Sequence, residues 1–434
     1  MKNAIVWFRN DLRTRDNQVL SKAVQENDRV MAFYFFDPRA FEVNQFGFKR
    51  TEKHRAQFLI ETLTDLKNQL EQLNISLFIF QQQPEDVFPQ FIDNLEFKIH
   101  AMYSQKEWTR NENRVTDAVK SEIKRFDVDW IELYDQFLFH PEDVPFEIND
   151  TPKIYTVFRK KCEKYVKVRP VVSVEKMSKE NLVPTDTEIP SLQQLGFSRF
   201  YVPKEAAFTF KGGSKNAKRR IENYFWETEN LKRYKETRNG LVGEAYSSKL
   251  SAWLANGSIS ARSIYHEVKR FEEEVVSNDS TYWLIFELIW RDYFKYVSLK
   301  HRDKIFQITG ILDKDYEWST NSNKIKQWID GETEEPFVNA NMLELKFSGW
   351  MSNRGRQNVA SFFAKEKELD WRIGASYFES QLVDYDVHSN YGNWMYVAGV
   401  GNDPRNRKFN IQRQAERYDP QQEFQNLWLE QIIH

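Results

Sequence analysis

The chain has 434 residues, 41% hydrophobic and 29% charged, with a formal net charge of −2; that length implies two domains, and that charge does not mark the whole molecule as a polyanion binder. No run of about 18 apolar residues occurs, and the start MKNAIVWFRNDLR lacks an apolar signal core, so neither export nor membrane spanning is expected. The single cysteine, Cys162, excludes an internal disulfide and any thiolate cluster, as in a cytoplasmic protein with no metal site.

In chain order, AIVWFR (4–9), RVMAFYFF (29–36), ISLFIF (75–80), KIHAMY (98–103) and VDWIELY (128–134) are short branched and aromatic runs that read as strands. Helical patterns lie between them. In KRTEKHRAQFLIETLTDLKNQLEQL, Leu59, Leu63, Leu66, Leu70 and Leu73 recur at three and four. The alternation predicts an α/β domain over 1–135, a doubly wound parallel sheet of about five strands. No glycine precedes Gly47, so neither a G-x-G-x-x-G turn nor a P-loop follows the first strand. A ligand of this sheet must be gripped in another way.

Residues 136–203 carry seven prolines and read as an inter-domain connector, with YTVFRKKCEKYV as a helix inside it. From 204 to 434 the strand pattern does not return. KNAKRRIENYFWE, SARSIYHEVKRFEEEV, STYWLIFELIWRDYFKYV, NVASFFAKEKE and RIGASYFESQLVD read as helices, several opening on a Ser or Asn cap. An all-α second domain follows. The stretch DYDVHSNYGNWMYVAGVGNDPRNRKFN, 384–410, shows no regular period.

Basic residues cluster locally, in Lys211 to Arg220, in LKRYKETR, and at Arg405, Arg407, Lys408, Arg413 and Arg417. Such a strip binds phosphates while net charge stays near zero, or is simply solvated helix surface. SSKLS (247–251) at a helix start suits a pyrophosphate, and serves equally as a cap. In FELIWRDYF, Glu287 and Trp290 are three apart on an otherwise apolar helix. A buried acid there is either in an internal ion pair with some arginine or in use. MSNRGRQNVASFF places Asn353, Arg354, Arg356 and Gln357 at a turn-to-helix junction, where amides read a ring edge or cap the helix.

These segments, with WFRNDLR, TRNGLVGEAYSSKLSAWLANGSISAR, NDSTYWLIFELIWRDYF and PFVNANM, closely resemble the photolyase/cryptochrome family along nearly the whole chain, and within it the DASH cryptochromes. The resemblance implies FAD in the helical domain. Tyr234, Ser247, Ser248, Lys249, Leu250 and Ser251 match the positions around its phosphates, and Arg291, Asn353, Arg356, Asp384, Asp386 and Asn390 those around the flavin and ribityl chain. Arg356 is expected to pair with Asp384, Asp386 to meet polar groups of the ring or ribityl chain, and Asn390 to face flavin N5. A neutral amide there favours an anionic reduced ring by avoiding like charge. Trp394, Trp371 and Trp318 match the electron relay of the family; Trp328 and Trp350 read as core.

The resemblance also implies repair of a flipped cyclobutane pyrimidine dimer. Glu287 and Asn353 match residues that hydrogen-bond the dimer, and Trp290 a stacking aromatic. Gln357 and Tyr396 stand where duplex-repairing members have Met and Trp. Stacking is worth about 1–3 kcal/mol per base and flipping costs a few. Dimers in single-stranded or looped DNA are therefore the expected substrate. Asn353, in place of a histidine, argues against (6-4) repair. Glu107 roughly matches a carboxylate that holds a methenyltetrahydrofolate antenna, and Asn339 stands where the family usually has Asp. The rival readings are a blue-light receptor using the same flavin and a general electron-transfer flavoprotein. A monomer is expected, and the sequence names no signalling partner.

Overall fold

The structure, a computed structural model, describes residues 1–403 and 405–430. Strands β1 (Asn3–Trp7), β2 (Arg29–Phe35), β3 (Leu77–Phe80), β4 (Ala101–Gln105) and β5 (Asp129–Leu133) alternate with helices α1 (Gln18–Glu26), α2 (Lys53–Gln72), α3 (Pro84–Asp93) and α4 (Arg110–Ile123). The sheet is wholly parallel in the order β3-β2-β1-β4-β5. All five residues of β1 are buried because helices cover both faces. Ala4 and Val6 point into the core that includes Leu20, Leu63 and Leu66, whereas Ile5 and Trp7 point into the core that includes Phe88 and Val119. This period-two division between two dry faces makes the strand read as continuously apolar.

Helix α2 begins four residues after the start of the run KRTEKHRAQFLIETLTDLKNQLEQL, since Lys49 is taken into a short antiparallel bridge with Val43. The proline-rich stretch carries one α-helix, α5 (Tyr155–Tyr165). It is tied to the sheet: Asn181 donates to the carbonyls of Val30 and Asn74, and its own oxygen accepts from Val30 N–H.

Among the described residues twelve α-helices then build the second layer: α6 (Ser214–Ile221), α7 (Tyr234–Thr237), α8 (Ser251–Ala255), α9 (Ala261–Glu274), α10 (Asp279–His301), α11 (Ser322–Asp330), α12 (Pro336–Ser348), α13 (Asn353–Ser361), α14 (Trp371–Gln381), α15 (Val387–Ala398), α16 (Ile411–Tyr418) and α17 (Glu423–Leu429). The stretch read as irregular contains α15. Asp386 caps it, accepting from Ser389 N–H at 2.7 Å, and Gly399 ends it at φ +81°. Its periodicity is hidden because buried positions are filled by His388, Asn390 and Gly392 rather than by aliphatic side chains. Asn339 also acquires a structural role. Its amide donates to Thr333 O and accepts from Thr333 N–H, closing the turn before α12, and an aspartate could not make the first of these bonds.

The two layers meet at a buried set of charges. Arg13, from the loop after β1, donates to Asp135 at 2.5 Å. Arg262, on α9, donates to Asp135 at 2.6 Å and to Asp16 at 3.0 Å. Removing one partner of such a set strands a buried charge. Arg262→Met is expected to destabilise the protein by about 3–5 kcal/mol in denaturant unfolding; a loss below about 1 kcal/mol contradicts the shared arrangement.

Candidate active site

Helix α10 organises the centre. Glu287, Trp290, Arg291 and Lys295 follow at i, i+3, i+4 and i+8, and an Asn278 capping box fixes the helix start. Glu287 forms an ion pair with Arg238 at 2.9 Å. Burial raises its carboxyl above the ordinary range, opposed by Arg238. Arg238 follows Tyr234 by one helical turn and had been read only as part of a basic cluster; an arginine partner was foreseeable, its identity was not. The Trp290 ring meets Tyr396 edge-on at 5.9 Å, and Arg407 donates to the Tyr396 hydroxyl at 3.2 Å. Asn353 is exposed at the first turn of α13. Arg354 donates to Gln357 at 3.0 Å and to Asn239 at 3.1 Å, which brings α13 to the Arg238 segment.

Behind this mouth lie the residues matched to a cofactor. Arg356 donates through one nitrogen to both oxygens of Asp384, each at 2.9 Å, and through Nε to Met351 O. Arg291 donates to the carbonyls of Gln136 and Leu254, joining the connector to α8. Burial alone would raise the Asp386 carboxyl, but Lys295 at 3.0 Å, His388 and Arg291 hold it well below the usual carboxylate range. One Asp386 oxygen caps α15 and the other takes Lys295, so its first role is internal. Asn390 donates its amide to Ala375 O at 2.9 Å, and among the described residues no donor reaches its oxygen.

The loop 246–250 ahead of α8 is held from below by Arg220, which donates to the carbonyls of Glu244, Ser247 and Ser248. That arginine belongs to the basic run 211–220 yet is buried, and its work is internal. Lys249 takes a left-handed φ of +60°. Its ammonium is buried over the Tyr246 ring, without a hydrogen-bond partner. Nearby, Tyr246 Oη, Trp350 Nε1 and both oxygens of Glu344 are also buried and unpartnered. Such orphans ask for a polar ligand, and a lysine presented by a strained loop fits an anionic one. Trp350 lies 5.2 Å from both the Lys249 and the Arg356 cations, so the loop and the Arg356–Asp384 pair share one centre. Glu344 lies on α12, a helix buried on nearly every side, and no feature of the sequence singled it out.

Trp394 and Trp371 are buried and Trp318 is half-buried. The Trp394 edge lies against Gly374, where an added Cβ would come within 2.2 Å of it. Its aromatic neighbours are Phe378, Phe363 and Trp328, the last at 6.2 Å. A bridge between Ser319 and Leu369 brings the Trp318 segment to the start of α14, where Trp371 is the first residue. Glu107 lines a cavity of about 210 Å³ between the layers, together with Tyr34, Arg55, Arg291, Lys295 and Asp386. Burial raises its carboxyl to about 7, opposed by Arg9. Among the described residues no group of three His, Cys, Asp or Glu side chains could hold a metal, and no helix is long and apolar enough to cross a membrane.

A family model for DNA photolyase matches residues 4–179, and one for the FAD binding domain of DNA photolyase matches 283–434. The chain is 43% identical over 432 residues to cryptochrome DASH of Gloeobacter violaceus, covering 99% of this chain and 86% of that protein. The crystal structure of a Synechocystis cryptochrome superposes with a TM-score of 0.94 at 41% identity, over 99% of this chain and 89% of the other. The archaeal photolyase from Sulfolobus tokodaii, with two FAD molecules, gives 0.79 at 26% identity, over 99% and 90%.

Two outcomes are expected from this geometry. Burial raises the Glu344 carboxyl from 4.5 to about 8, against the pull of Lys249 and Arg356. A raised carboxyl binds its proton more tightly folded than unfolded, so its contribution to stability falls as pH rises from about 4.5 to about 8. Glu344→Gln should therefore gain stability relative to wild type across that window in parallel unfolding curves; a constant difference contradicts the raised carboxyl. Gly374→Ala should cost about 1–3 kcal/mol through overpacking against Trp394, read as a lowered unfolding midpoint with altered near-UV circular dichroism. An unchanged midpoint and spectrum would refute that contact.

Proposed function

As the chain belongs to the photolyase/cryptochrome family and to its DASH type, we propose that it is a light-driven photolyase repairing cyclobutane pyrimidine dimers chiefly in single-stranded or looped DNA. The observation that carries this reading is the convergence of Glu287, Arg238, Trp290 and Tyr396 at one mouth, next to the centre where Arg356, Asp384 and Lys249 meet. A receptor or a plain electron carrier has no need of that group.

FAD, when bound, supplies blue-light absorption and the electron that opens the dimer. The chain supplies the rest. Lys249, with Ser247, Ser248 and the free N–H groups at the start of α8, holds the phosphates, and Arg220 keeps their loop in shape. Tyr234, Leu250 and Ser251 complete that wall. Arg291, Arg356, Asp384, Asp386 and Asn353 surround the flavin end. The Ala375 bond orients Asn390 so that its oxygen is the free atom of the amide. Trp290 stacks the flipped dimer. Glu287 and Asn353 hydrogen-bond it, and Glu287, with its proton affinity raised by burial, steadies the charge that develops on the pyrimidines.

Gln357 and Tyr396 give less stacking surface than a Met–Trp pair, so flipping from a duplex is less well repaid by contacts than extraction from a strand already unpaired. Trp318, Trp371 and Trp394 pass electrons inward from an external reductant. The cavity at Glu107 takes the antenna: Tyr34 and Tyr385 offer aromatic faces and Glu107 an acceptor for ring N–H groups. At about 210 Å³ it lies below the roughly 300–1,000 Å³ of whole-ligand pockets. That size suits the pterin of methenyltetrahydrofolate, with its tail outside.

Glu287→Ala should keep its FAD and lose more than half of its repair per absorbed photon; unchanged repair refutes the role of the carboxylate. Trp394→Phe should no longer bleach oxidised flavin absorption under blue light with external thiol, yet repair normally after chemical reduction. Normal photobleaching would remove Trp394 from the relay.

A further inference from the structure

The indole of Trp290 is not alone in its pocket. Tyr155, the first residue of α5, lies flat against it with ring centroids 3.6 Å apart and an interplanar angle of 10°. No other aromatic pair among the described residues is so close. Tyr155 is buried, and its hydroxyl donates at 2.9 Å to the carbonyl of Phe286, one helical turn before Trp290. Phe286 and Tyr293 meet the Tyr155 ring edge-on at 5.2 and 5.6 Å. The backbone just ahead is fastened too: Lys153 O accepts from the Tyr293 hydroxyl at 2.6 Å and from Asn402 at 2.9 Å, and Thr151 O accepts from Lys300. The connector is thus bolted along α10 and to the loop that follows α15, with Tyr155 as the one ring that reaches Trp290 face to face.

We propose that Tyr155 is a positioning residue for substrate recognition: by occupying one face of Trp290 it fixes the indole plane and leaves a single face for the flipped dimer. This rests on the reading that Trp290 stacks the dimer. A base gains from stacking only on a ring already held in place, since ordering a mobile side chain upon binding weakens the complex. Tyr396 meets Trp290 edge-on and offers no comparable backing. In a pocket with one stacking aromatic, the rigidity of that ring sets how well a dimer is told from undamaged bases. The ring of Tyr155 carries the effect, and its hydroxyl serves only to seat it.

The test is binding in the dark of FAD-loaded protein to a single-stranded oligonucleotide carrying one thymine dimer, against the same oligonucleotide undamaged. Tyr155→Phe should keep the wild-type preference within about two-fold. Tyr155→Leu should lower dimer affinity by about ten-fold, the equivalent of losing part of one base stack, with undamaged-strand affinity and flavin content unchanged. In a Trp290→Leu background, Tyr155→Leu should cost almost nothing further, because the two rings act as one unit. Wild-type preference in Tyr155→Leu, or the full ten-fold loss repeated without Trp290, overturns the proposal. If Tyr155→Leu loses flavin, Tyr155→Met fills the space without a ring and carries the same expectations. Trp290→Leu retaining the full dimer preference would instead sink the stacking role of Trp290 itself.

Discussion

The arrangement depends first on a buried exchange of charge between the two layers. Arg13, Arg262, Asp16 and Asp135 are all nearly inaccessible to water, and each is bonded to another member of the set. Two cations balance two anions, and the remaining donors go to the carbonyls of Asp16, Asp135 and Gly257. Gly257 itself sits at φ +74°, where a Cβ would lie 2.0 Å from Asn10 O, so the loops approach as closely as their backbones permit. A network of this kind adds little net stability relative to a greasy contact, but it tolerates only one docking geometry. The residue after Asp135, Gln136, accepts from Arg291, so the register set at the interface passes directly into α10.

Helix α10 then distributes that register. Along its middle and C-terminal half it is buried on nearly every side, and the charged residues there are held by partners on different elements. Asp292 accepts from the N–H groups of Leu138 and Phe139, Lys295 reaches Asp386 at the cap of α15, Arg291 reaches α8, and Glu287 reaches Arg238. A polar group buried without a partner would be costly, so these residues work as pegs that fix the neighbouring elements. A cluster of exceptions lies around Lys249, Glu344 and Tyr246, where buried polar atoms have no protein partner. Single orphaned atoms occur elsewhere, as at Asp11 and Ser104, but here several from different elements converge on one centre.

Much of this was legible in the sequence, for physical reasons that differ by region. Strands buried on both faces announce themselves as apolar runs, and α2 and α10 by spacing and caps. The α15 segment did not, since a helix that lines a site replaces aliphatic positions with Asn390, Gly392 and His388 and so loses its period. The Arg356–Asp384 pair foreseen from the family pattern is present, and the Glu287 ion pair was foreseen without its partner. Residues whose contacts lie far away in sequence were invisible: Arg220 looked like one more surface cation, Tyr155 like part of a proline-rich connector, and Glu344 drew no reading at all. Their roles arise from contacts across long sequence separations, which no local pattern encodes. Asp386 looked like a ligand for the flavin side and proves first to be a helix cap and the counterion of Lys295.

In the function proposed above, the pocket presents Trp290 backed by Tyr155, the Arg238-paired carboxylate of Glu287, and the polar side chains of Gln357 and Tyr396. On that proposal the site takes a dimer already unpaired and has little surplus with which to open a helix. The most direct measurement is blue-light repair by purified, chemically reduced protein of a thymine dimer in a single-stranded oligonucleotide, beside the same dimer in a duplex. Loss of the dimer from the single strand with little loss from the duplex is the expected result. Equal repair of both contradicts the role assigned to Gln357 and Tyr396, and no repair of either by protein carrying reduced FAD contradicts the photolyase account.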